Sequence, residues 1–251
     1  MLILFFFLIA LLYSSVGFGG GSSYTAVLAL AGEGSESIRA TSLACNVLVV
    51  FIGALASARA QNVPWRWVGL LLLSSIPCVW LGASWKISEV LFLRILAGAL
   101  FVAGLCLVVP FGKKTSEESR FDLQNHENKK WRAALVLLVL GAGLGFLAGV
   151  TGIGGGIYLV PVLHLIRFGR EREVAAMGTW FILVNSLVGL GAIAMTRDVS
   201  VFSGRIPFLL VSVAVGGLIG SSLLQKVFNP TLIRRWTGVL ILVVAVRILF
   251  L

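Results

Sequence analysis

The chain is expected to fold as an all-α polytopic membrane protein of two inverted repeats, each a glycine-tipped helical hairpin plus three transmembrane helices. Three observations carry that expectation. Of 251 residues, 59% are hydrophobic and only 12% charged, and the mean hydropathy is +1.03. Ordinary soluble domains carry about 25% charged residues, so this chain has too little polar surface to coat a water-soluble globule. A glycine-rich motif occurs twice: SVGFGGG at 15–21 aligns with VTGIGGG at 150–156, and all four glycines coincide. The basic residues also segregate into one set of loops once these two motifs are read as turns.

Eight apolar blocks run in order at roughly 1–31, 38–58, 66–85, 89–110, 132–166, 173–195, 205–225 and 231–251. Six have the length of one tilted transmembrane helix, about 20 residues. The first and fifth are too long for one pass, and each is cut by its glycine cluster. Glycine inside a helix costs about 1 kcal/mol relative to alanine, so Gly19, Gly20 and Gly21, preceded by Gly17, break the first block. Gly154, Gly155 and Gly156, preceded by Gly152, do the same in the fifth. The likeness extends further at an offset of 138, where Thr41 meets Thr179 and Gly53-Ala54 meets Gly191-Ala192; Asn46 and Asn185 fall one residue out of step. The chain thus divides into a first transmembrane repeat (1–110), a polar linker (111–131) and a second transmembrane repeat (132–251).

Loop charges choose between two topologies. If every block crosses once, the two sides of the membrane hold nearly equal numbers of Lys and Arg. If the first and fifth blocks turn back at their glycines, fourteen share one side: those at 59–66, 113–132, 167–172 and 226–235. The other side then holds six: Arg39, Lys86, Arg94, Arg197, Arg205 and Arg247. Cytoplasmic loops are the basic ones, which favours the hairpins, a cytoplasmic linker and termini outside. Each half then makes three passes plus a hairpin, so the halves are upside down relative to each other. The N-terminal stretch has no basic leader region and no small-residue cleavage site, so a cleaved signal peptide is not expected.

The net charge of +10 is read as topological rather than as a nucleic-acid surface. Cys45, Cys78 and Cys106 fit no zinc or redox spacing. No nucleophile–base set is visible, so neither an enzyme, a metal nor a cofactor is expected. All ten acidic residues lie at block ends or in loops, whereas a cation pathway wants a carboxylate mid-span.

An irregular backbone at membrane depth is tolerated only where it lines a cavity or is buried in protein. The half-helices after Gly21 and Gly156 would each offer unsatisfied N–H groups and a positive dipole end. Ser22, Ser23 and Thr151 add hydroxyl donors, and Thr41, Asn46, Thr179 and Asn185 place polar groups on the following spans. Two such tips form an anion site without a buried Lys or Arg. Packing by small residues is the competing use of glycine; it accounts for Ala97 and Gly98, or Gly216, Gly217 and Gly220, better than for a duplicated run of three. Arg94 and Arg247 sit inside blocks and are expected to snorkel. Trp65, Trp67, Trp85 and Trp131 flank spans as interfacial anchors.

SSVGFGGGSS at 14–23 and GVTGIGGGIYLVPVL at 149–163, each followed by an ATS or GT stretch on the next span, resemble the sulfite exporter TauE/SafE family of membrane permeases. The resemblance covers the whole chain. The first copy departs from the second in lacking a proline equivalent to Pro161. The resemblance implies transport of small anions, often sulfur-containing ones such as sulfite or organosulfonates, across an inner or plasma membrane. An anion channel using the same tips is the alternative.

Overall fold

The computed structural model describes residues 2–16, 19–61, 63–108, 127–166, 168–196, 204, 206–220 and 230–249. Ten α-helices occur among them: α1 Leu2–Val16, α2 Gly21–Leu30, α3 Ser35–Arg59, α4 Trp65–Ser84, α5 Glu89–Val108, α6 Glu127–Thr151, α7 Gly156–Leu165, α8 Glu171–Thr196, α9 Ile206–Ile219 and α10 Pro230–Leu249. No strand occurs among the described residues. Five helices are long and apolar enough to cross a membrane: α3, α4, α5, α6 from Trp131 and α8 from Arg172. Of the polar linker, 111–126 lies outside the described residues, and 127–131 forms the opening of α6 rather than loop. The protein is a multi-pass membrane protein.

The first and fifth blocks each break into a long and a short helix. The short one folds back on the long one. Phe6 of α1 stacks on Tyr24 of α2 with ring centroids 4.9 Å apart, and the Tyr13 hydroxyl lies 2.8 Å from the Ser23 hydroxyl. Gly155 returns to the level of Leu144 and Ala148, seven to eleven residues back along α6. The limbs are unequal, because α2 and α7 have ten residues each while α1 has 15 and α6 has 25.

Helix packing repeats with the sequence. α1 lies against α9 as α4 lies against α6; α3 meets α9 as α8 meets α4; α2 meets α3 as α7 meets α8. The pairs α3–α8 and α5–α10 each join two equivalent helices. Both run antiparallel: Gly53 faces Thr179 while Gly189 faces Leu43, and Gly104 faces Leu242 while Gly238 faces Val108. The α4–α6 pair runs parallel, with Gly141 on Leu71, Gly145 on Ser75 and Gly149 on Val79. Its counterpart is also parallel, with Gly216 on Phe7 and Gly220 on Leu11.

Small residues thus set the helix spacing. Gly216 and Gly220 pack as expected, with Gly217 at contact distance from Val49. Gly98 does not: it is exposed, and nothing lies within 4 Å of the position a Cβ would take. The stripe Gly141, Gly145 and Gly149 takes the larger role. A methyl group at Gly149 would land on the Val79 carbonyl and 2.8 Å from the Ala83 nitrogen. Backbone cannot rotate away as a side chain does, so Gly149→Leu should force α4 and α6 apart. Overpacking costs about 1–3 kcal/mol. A lowered melting temperature in detergent is expected for Gly149→Leu, against no change for Gly143→Leu, whose surroundings are open.

Candidate functional site: two glycine turns that meet

Gly20 and Gly155, equivalent in the sequence repeat, adopt the same left-handed backbone, with φ 75°, ψ 2° and φ 79°, ψ −18°. Each precedes the first residue of a short helix, and neither caps it with a side chain. Only glycine enters this region at no steric cost. The first helical bonds of α2 are donated by the amides of Ser23 and Tyr24 to Gly20, and those of α7 by Tyr158 and Leu159 to Gly155. The amides of Gly21, Ser22, Gly156 and Ile157 therefore precede the helical ladder, at the positive end of each helix. The copies differ one residue earlier. Gly154 also has positive φ, at 83°, whereas its equivalent Gly19 does not. Gly17 and Phe18 lie outside the described residues.

The two turns touch. A Cβ on Gly21 would sit 2.5 Å from the carbonyl oxygen of Ile153. Asn46, near the middle of α3, is bonded to the second turn and lies against the first. Its Nδ2 donates to the Ile153 carbonyl at 3.1 Å, and its side chain lies against Gly19, Gly21 and Gly154. One turn earlier, the Ser42 hydroxyl donates to the Gly21 carbonyl at 3.0 Å. A small cavity of about 20 Å³ opens here, lined by Gly19, Gly20, Gly21, Ser22, Ile153, Ile157 and Ile182, with Tyr13 and Leu107. That volume suits one water molecule, which needs at least about 10–15 Å³.

The polar side chains expected at the site distribute unevenly. Ser22 is buried beside the cavity, and its hydroxyl has no partner among the described residues. The Asn46 Oδ1 has no partner among the described residues. Ser23 is buried but engaged with Tyr13. Thr151 is turned back onto α6, donating to the Leu147 carbonyl at 2.7 Å, and accepts from the Ile153 amide at 3.4 Å. Thr179 bonds its own helix at Ala175, 2.9 Å away, and its methyl faces Gly53 rather than the turns. Thr41 is buried, and its hydroxyl has no partner among the described residues. Asn185 accepts from Ser75 of α4 at 2.7 Å, so it lies at the α4–α8 contact and not in the turns. Gly156 packs on Ile182 and Gly178.

Two residues outside that set lie against the second turn. Ser186 is buried next to Gly154, and its hydroxyl has no partner among the described residues. Arg39 is the other. The charge count groups it with the six basic residues on one side of the membrane, and it is 2% exposed, with its Cα against Gly152. Arg39, Ser42 and Asn46 follow an i, i+3, i+7 spacing, which lines one helix face. Arg94 and Arg247 by contrast are exposed. Trp65, Trp85 and Trp131 are exposed as well, while Trp67 is half-buried with its ring edge-on to Phe168.

The arrangement offers hydrogen-bond donors and helix N-termini among buried residues. A family model described as "Sulfite exporter TauE/SafE" matches residues 2–248. "Probable membrane transporter protein y4hK" of Sinorhizobium fredii is 31% identical over 246 residues, covering 98% of this chain and 96% of that protein. "Probable membrane transporter protein YjnA" of Bacillus subtilis is 24% identical over 248 residues, covering 93% and 92%. No solved structure matches. A family match across nearly the whole chain, on a bundle whose duplicated glycine turns meet, places this protein in the TauE/SafE family of membrane transporters.

Proposed function

We propose that the protein is a secondary transporter of small sulfur-containing anions such as sulfite or an organosulfonate, held where the two glycine turns meet. The observation that carries this reading is the pair of left-handed glycines, Gly20 and Gly155, starting two short helices whose first turns wall one cavity. Helix N-termini and free amides attract anions, and Ser22, Asn46 and Ser186 supply further buried polar groups. Thr41, Thr151, Thr179 and Asn185 then act around the site, not in it. The sulfur specificity rests on the family alone.

The antiparallel α3–α8 and α5–α10 pairs support an inverted repeat with the hairpins entering from opposite faces. Eight single crossings would make α3 and α8 parallel, whereas the hairpin topology makes them antiparallel. Read with the excess of Lys and Arg in the loops on one side, the same topology supports a cytoplasmic linker and an inner or plasma membrane of a prokaryote-type cell. Alternating access follows by motion of one half against the other. A cavity of about 20 Å³ is smaller than a sulfite ion, so binding there requires the two turns to part, a movement that suits a carrier.

The test is a thermal-shift screen of the detergent-purified protein with sulfite, thiosulfate, sulfate, sulfoacetate, isethionate, taurine, chloride and phosphate at matched ionic strength. A ligand present at 100 times its Kd stabilises by about 2.7 kcal/mol. A rise in melting temperature confined to one or two sulfur oxyanions is expected. Equal shifts with every anion, chloride included, would contradict a specific site.

A further inference from the structure

Arg39 lies in the second turn of α3 and is 2% exposed. Among the described residues its polar contacts come down to one long donation, from Nη1 to the Ala83 carbonyl at 3.5 Å. Its Nε has no partner, and its guanidinium stands 5.5 Å over the ring of Phe92. The carboxylate of Glu89, on the same helix as Phe92, accepts instead from the Ser35 amide at 3.1 Å. A buried guanidinium left in this state is costly, because buried charges need a counter-charge or a full set of hydrogen bonds. The Ser84 hydroxyl, next to Ala83, is buried and unpartnered too.

The position matters as much as the burial. Arg39 lies on the same face of α3 as Ser42 and Asn46, which bind the glycine turns. It is seven residues from Asn46, about 10 Å along the helix. Its backbone packs on Gly152, the residue that opens the second turn. The other half has no matching charge. At the offset of 138 that pairs Thr41 with Thr179, Arg39 pairs with Met177, which is buried at 1% exposure.

We propose that Arg39 is a second anion-binding station, on one side only of the glycine turns, which receives the oxyanion group of the transported solute with its free Nε edge. The inference rests on the anion-transport reading above and adds a charge that the turns themselves lack. A planar guanidinium offers two parallel donors to a sulfonate, sulfite or carboxylate. Because only one half carries the charge, the two access states differ in anion affinity.

The opposite half supplies the variant that tests this. Arg39→Met installs the residue found at the equivalent position, and replacing an unpaired buried charge by an apolar group of similar length leaves the fold at least as stable. Binding of sulfite and of sulfoacetate is measured by calorimetry on the wild type, Arg39→Met and Arg39→Lys, with melting temperatures of the apo proteins alongside. The expected result is an unchanged or raised apo melting temperature in Arg39→Met, with Kd weakened at least tenfold, and partial recovery in Arg39→Lys. Wild-type Kd in Arg39→Met overturns the station while leaving the anion site at the turns standing. A lowered apo melting temperature with unchanged Kd assigns Arg39 to structure alone, and overturns it equally. No binding of either anion to the wild type removes the transport reading, and this inference with it.

Discussion

Gly155→Val is expected to abolish transport while the protein still inserts and purifies as a monodisperse species. Two costs coincide at this position. The backbone sits at φ 79°, a region that costs an L-residue roughly 1–2 kcal/mol and a β-branched one more. The new Cβ would lie 2.7 Å from the Phe181 ring, 3.2 Å from the Ala148 methyl and 3.3 Å from the Leu144 carbonyl. Phe181 and Ala148 are fully buried, so neither has space to yield. The turn must therefore shift, and with it the N-terminus of α7. A displacement of about 1 Å at a positioned site is enough to lose two orders of magnitude in rate. Uptake or efflux of radiolabelled sulfite in proteoliposomes, normalised to incorporated protein, is the measurement. Gly20→Val should behave alike, because Gly20 has φ 75° and a Cβ there would crowd Ile9, Tyr13 and Tyr24 at 3.2–3.3 Å. Gly32→Ala is the control: it shares the left-handed backbone, at φ 73°, but nothing lies within 4 Å. It should keep wild-type transport after losing only local stability. Normal flux in Gly155→Val, or equal loss in Gly32→Ala, would sink the assignment of function to the turns.

The glycine turns were legible in the sequence because their chemistry is local. An offset of 135 that aligns four glycines also aligns two left-handed backbones, since a run of glycine inside an apolar block has few other uses. The side chains on α3 and α8 were legible only as far as the helix. Thr41 and Thr179 pair at offset 138, yet Thr179 is bound to its own helix while the Thr41 hydroxyl has no partner among the described residues. Asn185 falls one residue from the equivalent of Asn46, and one residue is 100° around a helix; that slip takes it to Ser75 on α4. Arg39 was hidden for a different reason. It stands one residue inside an apolar block, where a charge reads as a loop residue, and its burial comes from Ala83, Phe92 and Gly152, which belong to three other segments. The stripe of Gly141, Gly145 and Gly149 did carry a signal, a spacing of four on one face. It is overshadowed by the denser cluster that follows it.

Asn46 is where a single atom change should report the sign of the transported charge. The residue is fully buried and touches both turns. Asn46→Asp keeps the shape and replaces a donor by a carboxylate. The Ile153 carbonyl, 3.1 Å from Nδ2 in the wild type, would then face an acceptor. A second negative charge about 4 Å from a bound anion costs about 4 kcal/mol at an effective dielectric constant near 20, close to three powers of ten in affinity. Isethionate suits the measurement because its sulfonate stays ionised over the accessible pH range. Its binding should vanish in Asn46→Asp at pH 8. Acidification neutralises the new carboxylate and restores a donor for the Ile153 carbonyl, so binding should partly return as pH falls. Asn46→Leu, which can neither donate nor titrate, should stay inactive throughout. If Asn46→Asp bound isethionate at pH 8 as tightly as the wild type, the anion would not sit at the turns. If instead it gained affinity for a cation, the buried donors would have to be read as the frame of a cation pathway. The pH-dependent return separates electrostatic repulsion from misfolding, because a collapsed site does not reassemble by taking up one proton.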